Sequence, residues 1–318
     1  MKIVVLDRTS VGEDVSVEAM KQYGDVVFYN STPDDQVAER IADADIVVAN
    51  KNPINEASLC RAEKVKLICQ FATGYDNVDV AYCKSRGIRV VNVRNYSTAA
   101  VVQHTIAMAL SVLEDLPYYD GYVKSGAYSA QERFAHFAKT FYELDGKTWG
   151  IVGMGNIGRR VALAAQALGC HVIFYSASGK SSCTEFERVE FDELLARADV
   201  LSLHCPLSDR TRHLMDADAF RKMKPSAILI NVARGAVVDS DALYEALLSR
   251  QIRGAGIDVF EGEPVKAEEK LLTLKDTGIL QMSPHMAWAS IEARTRCVTE
   301  TCKNIEAFLK GEDRSVVV

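Results

Sequence analysis

Lys147-Thr148-Trp149-Gly150-Ile151-Val152-Gly153-Met154-Gly155-Asn156-Ile157-Gly158 decides the fold. A short apolar run feeds into Gly-x-Gly-x-x-Gly, and the glycines open an amphipathic stretch, Arg159 to Leu168. The order is strand, tight turn, helix. Gly153 permits the turn, Gly155 lets the backbone come close to a ligand, and Gly158 lets the helix pack on its strand. With Asn156 and Ile157, they bring backbone N–H groups and a helix N-terminus together, the arrangement that receives a pyrophosphate. This predicts a dinucleotide site near mid-chain, with a large segment before it.

Downstream of the loop, apolar runs recur between helical patterns. They are Thr148–Val152, His171–Tyr175, Val200–His204, Ala227–Asn231, Gly254–Val259 and Gly278–Gln281. Six strands with intervening helices make a complete doubly wound, Rossmann-type sheet. Upstream, Ile3–Leu6, Val26–Tyr29, Ile46–Ala49, Leu67–Phe71 and Val90–Asn92 read as strands. They alternate with helical candidates near Val17–Tyr23, Asp34–Ala42, Glu56–Arg61 and Val80–Arg86. That is a second parallel α/β unit, without a glycine loop of its own. Thr98 to Leu116 forms one long apolar helix, suited to a crossover, and a last helical pattern runs from Trp288 to Leu309. The expected organisation is discontinuous. Residues 1–97 and 287–318 form a substrate domain, and 98–286 form an inserted dinucleotide-binding domain.

At 318 residues, two domains are the natural expectation. The formal net charge of −6 gives no basic footprint, so nucleic acid is not an expected partner. No apolar run reaches about 18 residues, so no membrane span is expected either. The eight cysteines are scattered without Cys-x-x-Cys. No metal site is expected from them, and a reduced, cytoplasmic setting fits.

Strand ends in an open α/β sheet face the ligand crevice. The fourth strand after the loop ends in Asn231-Val232-Ala233-Arg234-Gly235, and the fifth ends at Asp258, followed by Val259-Phe260-Glu261-Gly262-Glu263-Pro264. The last leads into Ser283-Pro284-His285. A guanidinium, a carboxylate and an imidazole thus arrive from successive strand ends. That trio suits hydride transfer to a 2-oxo acid. Arg234 would hold the substrate carboxylate, His285 would pass a proton to the carbonyl oxygen, and Glu263 would orient the ring and favour imidazolium. His204-Cys205-Pro206 ends a strand beside the expected cofactor, so Cys205 and Pro206, like Val232 and Ala233, are candidates to line it. The other histidines, His104 and His213 among them, read as structural.

These motifs identify a resemblance. Over essentially its whole length the chain resembles the D-isomer-specific 2-hydroxyacid dehydrogenase family, and most of all its glycerate dehydrogenase or hydroxypyruvate reductase branch. The resemblance implies Arg234, Glu263 and His285 as catalytic residues and Asp258 as a contact to the nicotinamide carboxamide. It implies that Thr73, Gly74 and Tyr75, in Ala72-Thr73-Gly74-Tyr75, bind the substrate carboxylate. It also implies a homodimer built largely on the cofactor domains.

The expected activity is NAD(P)-dependent interconversion of a small 2-oxo acid and the D-2-hydroxy acid, hydroxypyruvate or glyoxylate in the reductive direction. The alternatives are a dinucleotide-sensing, corepressor-like binding protein on the same fold, or a short phosphoglycerate dehydrogenase. One departure bears on the cofactor. NAD sites commonly place an acid about 20 residues beyond the glycines, on the ribose hydroxyls. Here no Asp or Glu lies between Gly158 and Thr184, and Ser176 stands where the acid is expected. Ser176, Ser178 and Lys180 therefore predict tolerance of NADP beside NAD.

Overall fold

In the computed structural model, which describes residues 1–318, the chain divides into two units. One is Met1–Ser97 with Trp288–Val318, and the other is Thr98–Ala287. The first holds strands β1 (Lys2–Val5), β2 (Asp25–Phe28), β3 (Ile46–Ala49), β4 (Leu67–Gln70) and β5 (Arg89–Val91). They pair in parallel in the order β2-β1-β3-β4-β5, the flavodoxin-like arrangement. β3 and β4 are buried along their whole length, which is why they are unbroken runs rather than alternating ones. Two expected helices shrink. Glu18–Tyr23 is a 3-10 helix, and Asp34–Gln36 is a 3-10 turn running into Val37–Arg40. Stretches this short gain too few intrahelical bonds to offset nucleation. The closing helix, Ile291–Leu309, begins after Ser290, whose hydroxyl accepts from the Ala293 N–H at 3.2 Å. Beyond it the chain returns to β5, where Val317 N–H donates to Val90 O at 2.8 Å and Val90 N–H donates to Val318 O at 2.9 Å.

The second unit carries β6 (Thr148–Val152), β7 (His171–Tyr175), β8 (Glu187–Arg188), β9 (Val200–Leu203), β10 (Ile228–Asn231), β11 (Gly254–Ile257) and β12 (Leu280–Met282). All pairs are parallel, in the order β12-β11-β10-β9-β6-β7-β8. The six anticipated strands are present. A seventh, β8, is only two exposed residues long and extends the sheet past β7. Strand order reverses between β6 and β9, the topological switch point at which open α/β sheets bind ligands.

The long helix is shorter than the sequence suggests. α1 (Thr98–Glu114) stops at Asp115, which is buried in a left-handed conformation at φ 51°, and α2 (Leu116–Lys124) starts at a bend of 61°. Pro117 explains the break: it has no N–H, and its ring would collide with the Leu113 carbonyl of a continuous helix. The Arg253 guanidinium donates to Leu113 O, and Thr277 Oγ1 donates to Asp115 Oδ1 at 2.9 Å. No single helix is long and apolar enough to cross a membrane.

α1 lies very close to β11. A Cβ on Gly254 would sit 3.1 Å from Val112 Cγ1, and one on Gly256 only 2.3 Å from Met108 Cγ. Four helical residues rise about 6 Å, and two strand residues about 6.6 Å. The two elements therefore match, four helical residues to every two of the strand: Val112 over Gly254, Met108 over Gly256, and, one turn further, His104 at Asp258.

Candidate active site

The glycine loop joins β6 to α3 (Asn156–Ala167). Gly153 has φ +96°, and a Cβ there would stand 2.8 Å from Cys205 N and 2.9 Å from the His204 carbonyl carbon. The turn is thus pressed against the end of β9. A Cβ on Gly158 would meet Gly153 O at 2.1 Å, so α3 packs hard on the turn it follows. Gly155 differs. Its φ of −83° suits any residue, and a Cβ there would touch nothing within 4 Å. Nothing in the fold requires glycine at 155, whereas a ligand lying against the backbone would. Gly155 is also the N-cap of α3 and gives it no side-chain cap. The first N–H groups of the helix, at Asn156 and Ile157, thus suit a pyrophosphate.

Cys205 and Pro206 follow β9, one buried and the other exposed. Burial pushes the Cys205 thiol up to about 11, so it stays a thiol. His204 is held neutral by burial, its pKa pushed down to about 3. Its Nε2 lies 3.0 Å from Ser202 Oγ, which accepts from Trp149 Nε1 at 2.9 Å, while Nδ1 has no partner.

β10, β11 and β12 deliver the other groups. After β10, Ala233 N–H donates to Asn231 Oδ1 at 3.1 Å and Asn231 Nδ2 donates to Arg234 O at 3.0 Å, closing the turn that presents the half-buried Arg234. Arg234 Nη1 donates to Ala233 O at 2.8 Å. Val232 packs at the edge of the core beneath α1 and α3. A Cβ on Gly235 would lie 1.9 Å from the Phe260 carbonyl carbon, so this turn presses on the loop carrying Glu263. In that loop Glu263 Oε1 accepts from Phe260 N–H at 3.2 Å, and Oε2 lies 2.7 Å from His285 Nδ1. A second pair, His213 Nε2 to Glu261 Oε1 at 2.8 Å, clasps the same loop.

His285 sits at φ +52°, an uncommon conformation for a bulky residue. Asp258 holds it there. The Asp258 carbonyl accepts from His285 N–H at 2.7 Å, Oδ1 accepts from Met286 N–H at 2.9 Å, and Oδ2 from Ala287 N–H at 2.9 Å. Oδ1 also accepts from Ser283 Oγ at 2.6 Å. The Asp258 side chain is fully buried, and three acceptor positions of its carboxylate serve this turn. Behind it, His104 Nε2 is 3.0 Å from Ser283 Oγ and 3.6 Å from Asp258 Oδ1. Sequence reading gave no role to His104 or Ser283. Only the placement of α1 over β11 brings His104 to this turn.

At the end of β7, Ser176 is buried, while Ser178 and Lys180 are exposed. Gly179 N–H donates to Ser176 O at 2.9 Å, and Lys180 N–H donates to Ser178 Oγ at 3.3 Å. From β8, Arg188 Nη1 donates to Gly179 O at 3.2 Å, a cation at this loop that sequence reading missed. Thr73, Gly74 and Tyr75 belong to the other unit. There Thr73 Oγ1 donates to Val93 O at 2.7 Å, Asn92 Nδ2 donates to Thr73 O at 2.7 Å, and the Tyr75 side chain is exposed.

Comparison with known proteins agrees with this fold. Residues 106–287 match the family described as D-isomer specific 2-hydroxyacid dehydrogenase, NAD binding domain. A hydroxypyruvate reductase from Blautia hydrogenotrophica is 36% identical, over 100% of this chain and 99% of its own. An acyclic imino acid reductase in complex with NADPH and D-Arg superposes with a TM-score of 0.89 at 28% identity, over 100% of both chains. D-lactate dehydrogenase from Aquifex aeolicus, complexed with NAD and lactic acid, gives 0.85 at 28% identity, covering 98% of this chain and 96% of the other. With a glycine loop at the switch point and Arg234, Glu263 and His285 on neighbouring strand ends, the chain belongs to the D-isomer-specific 2-hydroxyacid dehydrogenase family, nicotinamide-dinucleotide-dependent oxidoreductases.

Proposed function

We propose that this protein reduces hydroxypyruvate or glyoxylate to D-glycerate or glycolate, with Arg234, Glu263 and His285 as its catalytic residues. The 2.7 Å contact between Glu263 Oε2 and His285 Nδ1 carries the reading. When bound, the dinucleotide supplies the hydride; everything else falls to the chain. The Arg234 guanidinium, a planar fork of permanent charge, grips the substrate carboxylate and polarises the neighbouring oxo group. Because Nδ1 of His285 is engaged by Glu263, Nε2 is the nitrogen that holds the transferable proton. The carboxylate fixes the direction of the ring, and Nε2 gives its proton to the carbonyl oxygen as the C–H bond forms. In oxidation, Nε2 takes the proton back. The relative named for hydroxypyruvate supports the substrate class. The reading also assigns substrate binding to Thr73, Gly74 and Tyr75. The test is oxidation of the reduced cofactor with a panel of 2-oxo acids. Hydroxypyruvate and glyoxylate should lead it, and silence with every acid would favour a dinucleotide sensor.

The reading extends to NADP. Ser176 offers no charge to repel a 2′-phosphate, Ser178 and Lys180 offer donors, and Arg188 adds a guanidinium at the same loop. The ratio of kcat/KM for NADPH and NADH measures this, and a strong preference for NADH refutes it. The reading also includes a homodimer in a cytoplasmic setting. Exposed apolar side chains gather in one stretch of the second unit, with Phe134 89% and Phe137 80% exposed. That stretch is held by Lys139 Nζ, 3.3 Å from Asp276 Oδ1, and by His136 stacked on Tyr122 with centroids 3.7 Å apart. An exposed aromatic surface of this kind suits a second copy of the chain. Sedimentation should give a dimer for the wild type and a monomer for Phe134→Ser/Phe137→Ser.

A further inference from the structure

We infer that His104 is a positioning residue for His285, acting through Ser283 and the Asp258 carboxylate. The inference rests on the catalytic reading above and adds a residue that no motif marks.

The hydrogen-bond roles follow from donor chemistry. A carboxylate only accepts, so the single hydrogen of Ser283 Oγ is committed to Asp258 Oδ1 at 2.6 Å. Toward His104 Nε2, 3.0 Å away, that oxygen can therefore only accept. The hydrogen of this contact lies on His104 Nε2. The chain of donation runs from His104 Nε2–H to Ser283 Oγ–H to Asp258 Oδ1, on the carboxylate oxygen that also takes the Met286 N–H at 2.9 Å.

Asp258 is the only residue that bonds three successive members of the turn, at His285 N, Met286 N and Ala287 N. A residue held at φ +52° persists only where its surroundings over-determine it. The carboxylate takes the Met286 and Ala287 N–H groups directly after His285, so the direction of the ring depends on where that carboxylate points. That carboxylate is buried, and the Ser283 donor, itself held by His104, fixes its rotation from the α1 side. Without the His104 donor, Ser283 Oγ keeps a lone pair with nothing to fill it, and its rotamer is no longer set by two partners.

The placement is built into the packing. His104 lies on the stripe of α1 that carries Val101 and Met108, both buried. Gly256 lets that stripe approach β11 closely enough for His104 to reach the strand end. At this position an apolar residue would pack as well, whereas a donor at the height of Nε2 is what the turn uses.

The experiment compares His104→Ala, His104→Gln, Ser283→Ala and the double variant His104→Ala/Ser283→Ala. The glutamine amide nitrogen occupies roughly the place of Nε2 and keeps a donor there. Two readouts are taken: kcat and cofactor KM for 2-oxo acid reduction, and the NMR signal of the His285 ring, assigned by its loss in His285→Gln. His104→Ala should lower kcat by about tenfold to hundredfold, the scale set by small misplacements of a reacting group. The cofactor KM should stay near the wild-type value, and the His285 signal should shift. His104→Gln should restore both readouts, and the double variant should be no worse than Ser283→Ala. Three results would overturn the inference: an unshifted His285 signal in His104→Ala, an impaired His104→Gln, or multiplicative effects in the double variant. If the wild-type protein reduces no 2-oxo acid, the catalytic reading fails. The ring signals in the four variants still decide whether His104 positions His285.

Discussion

Replacing Glu263 by Gln tests the pair that the proposed chemistry uses most directly. The substitution preserves the shape and an acceptor for the Nδ1 hydrogen, and removes only the negative charge 2.7 Å from the ring. A hydrogen bond to a charged partner contributes about 1.5–3 kcal/mol, roughly twice a neutral one. Both side chains keep about a quarter of their surface exposed, 27% each, so solvent screening puts the loss near the lower end of that span. At about 1.4 kcal/mol per decade, a loss of that size is about a factor of ten in rate. kcat for reduction should therefore fall about tenfold, with the cofactor KM near its wild-type value. The assay is kcat under saturating cofactor and substrate. A variant that retains the wild-type kcat would show that Glu263 is not the group that orients the imidazole for proton transfer, and the assignment of roles would fail with it.

Two glycines and one half-buried histidine give further tests. Gly155→Ala should leave thermal stability unchanged, because the added carbon meets nothing, while weakening binding of the reduced cofactor by fluorescence titration; equal binding would mean that no ligand lies against that backbone. Gly235→Ala must move the loop at Phe260, and a shift of about 1 Å predicts a fall in kcat of about a hundredfold with cofactor binding retained. His204 is neutral in the folded state down to about pH 3, whereas the unfolded residue takes a proton near 6.5. The unfolded chain then binds more protons between those values, so this contribution is complete above the unfolded pKa and is lost as pH falls. The loss amounts to about 2 kcal/mol between pH 7 and 5. Urea denaturation at both values should show a shallower pH dependence for His204→Gln, and an unaltered slope would mean that the ring titrates in the folded protein.

Much of this architecture is readable along the chain because parallel strands buried on both faces are written as unbroken Val and Ile runs. The glycine loop is equally legible, since its constraints are local: turn, approach and packing lie within six residues. Features that depend on partners far away in sequence are not. β8 is two exposed residues with no apolar signature, so Arg188 does not announce itself as a neighbour of Gly179. The break after Glu114 is signalled by Pro117, but the buried, left-handed Asp115 is stabilised by Thr277 and by Lys139, 3.5 Å away, neither of which adjoins it in sequence. His104 looks like an ordinary polar residue on an apolar helix. Its partner Ser283 lies 179 positions away.

The candidate site is held together by the sheet that carries it. β10, β11 and β12 are paired so that Asn231 faces Ile257 and Ile257 faces Met282. The pairing does not stop at the strand ends. Asp258 N–H donates to Asn231 O at 2.9 Å, Ser283 N–H to Ile257 O at 2.9 Å, and His285 N–H to Asp258 O at 2.7 Å. These bonds carry the ladder into the turns, so the positions of Arg234 and His285 are set by sheet register, and Glu263 reaches His285 from the loop that follows β11. Register in a buried parallel sheet is costly to change, because a slip of one residue reverses every side chain. The same register fixes Gly254 and Gly256 beneath Val112 and Met108, and with them the height at which His104 meets Asp258. Side chains that must act to within a fraction of an ångström are thereby tied to the most rigid element available.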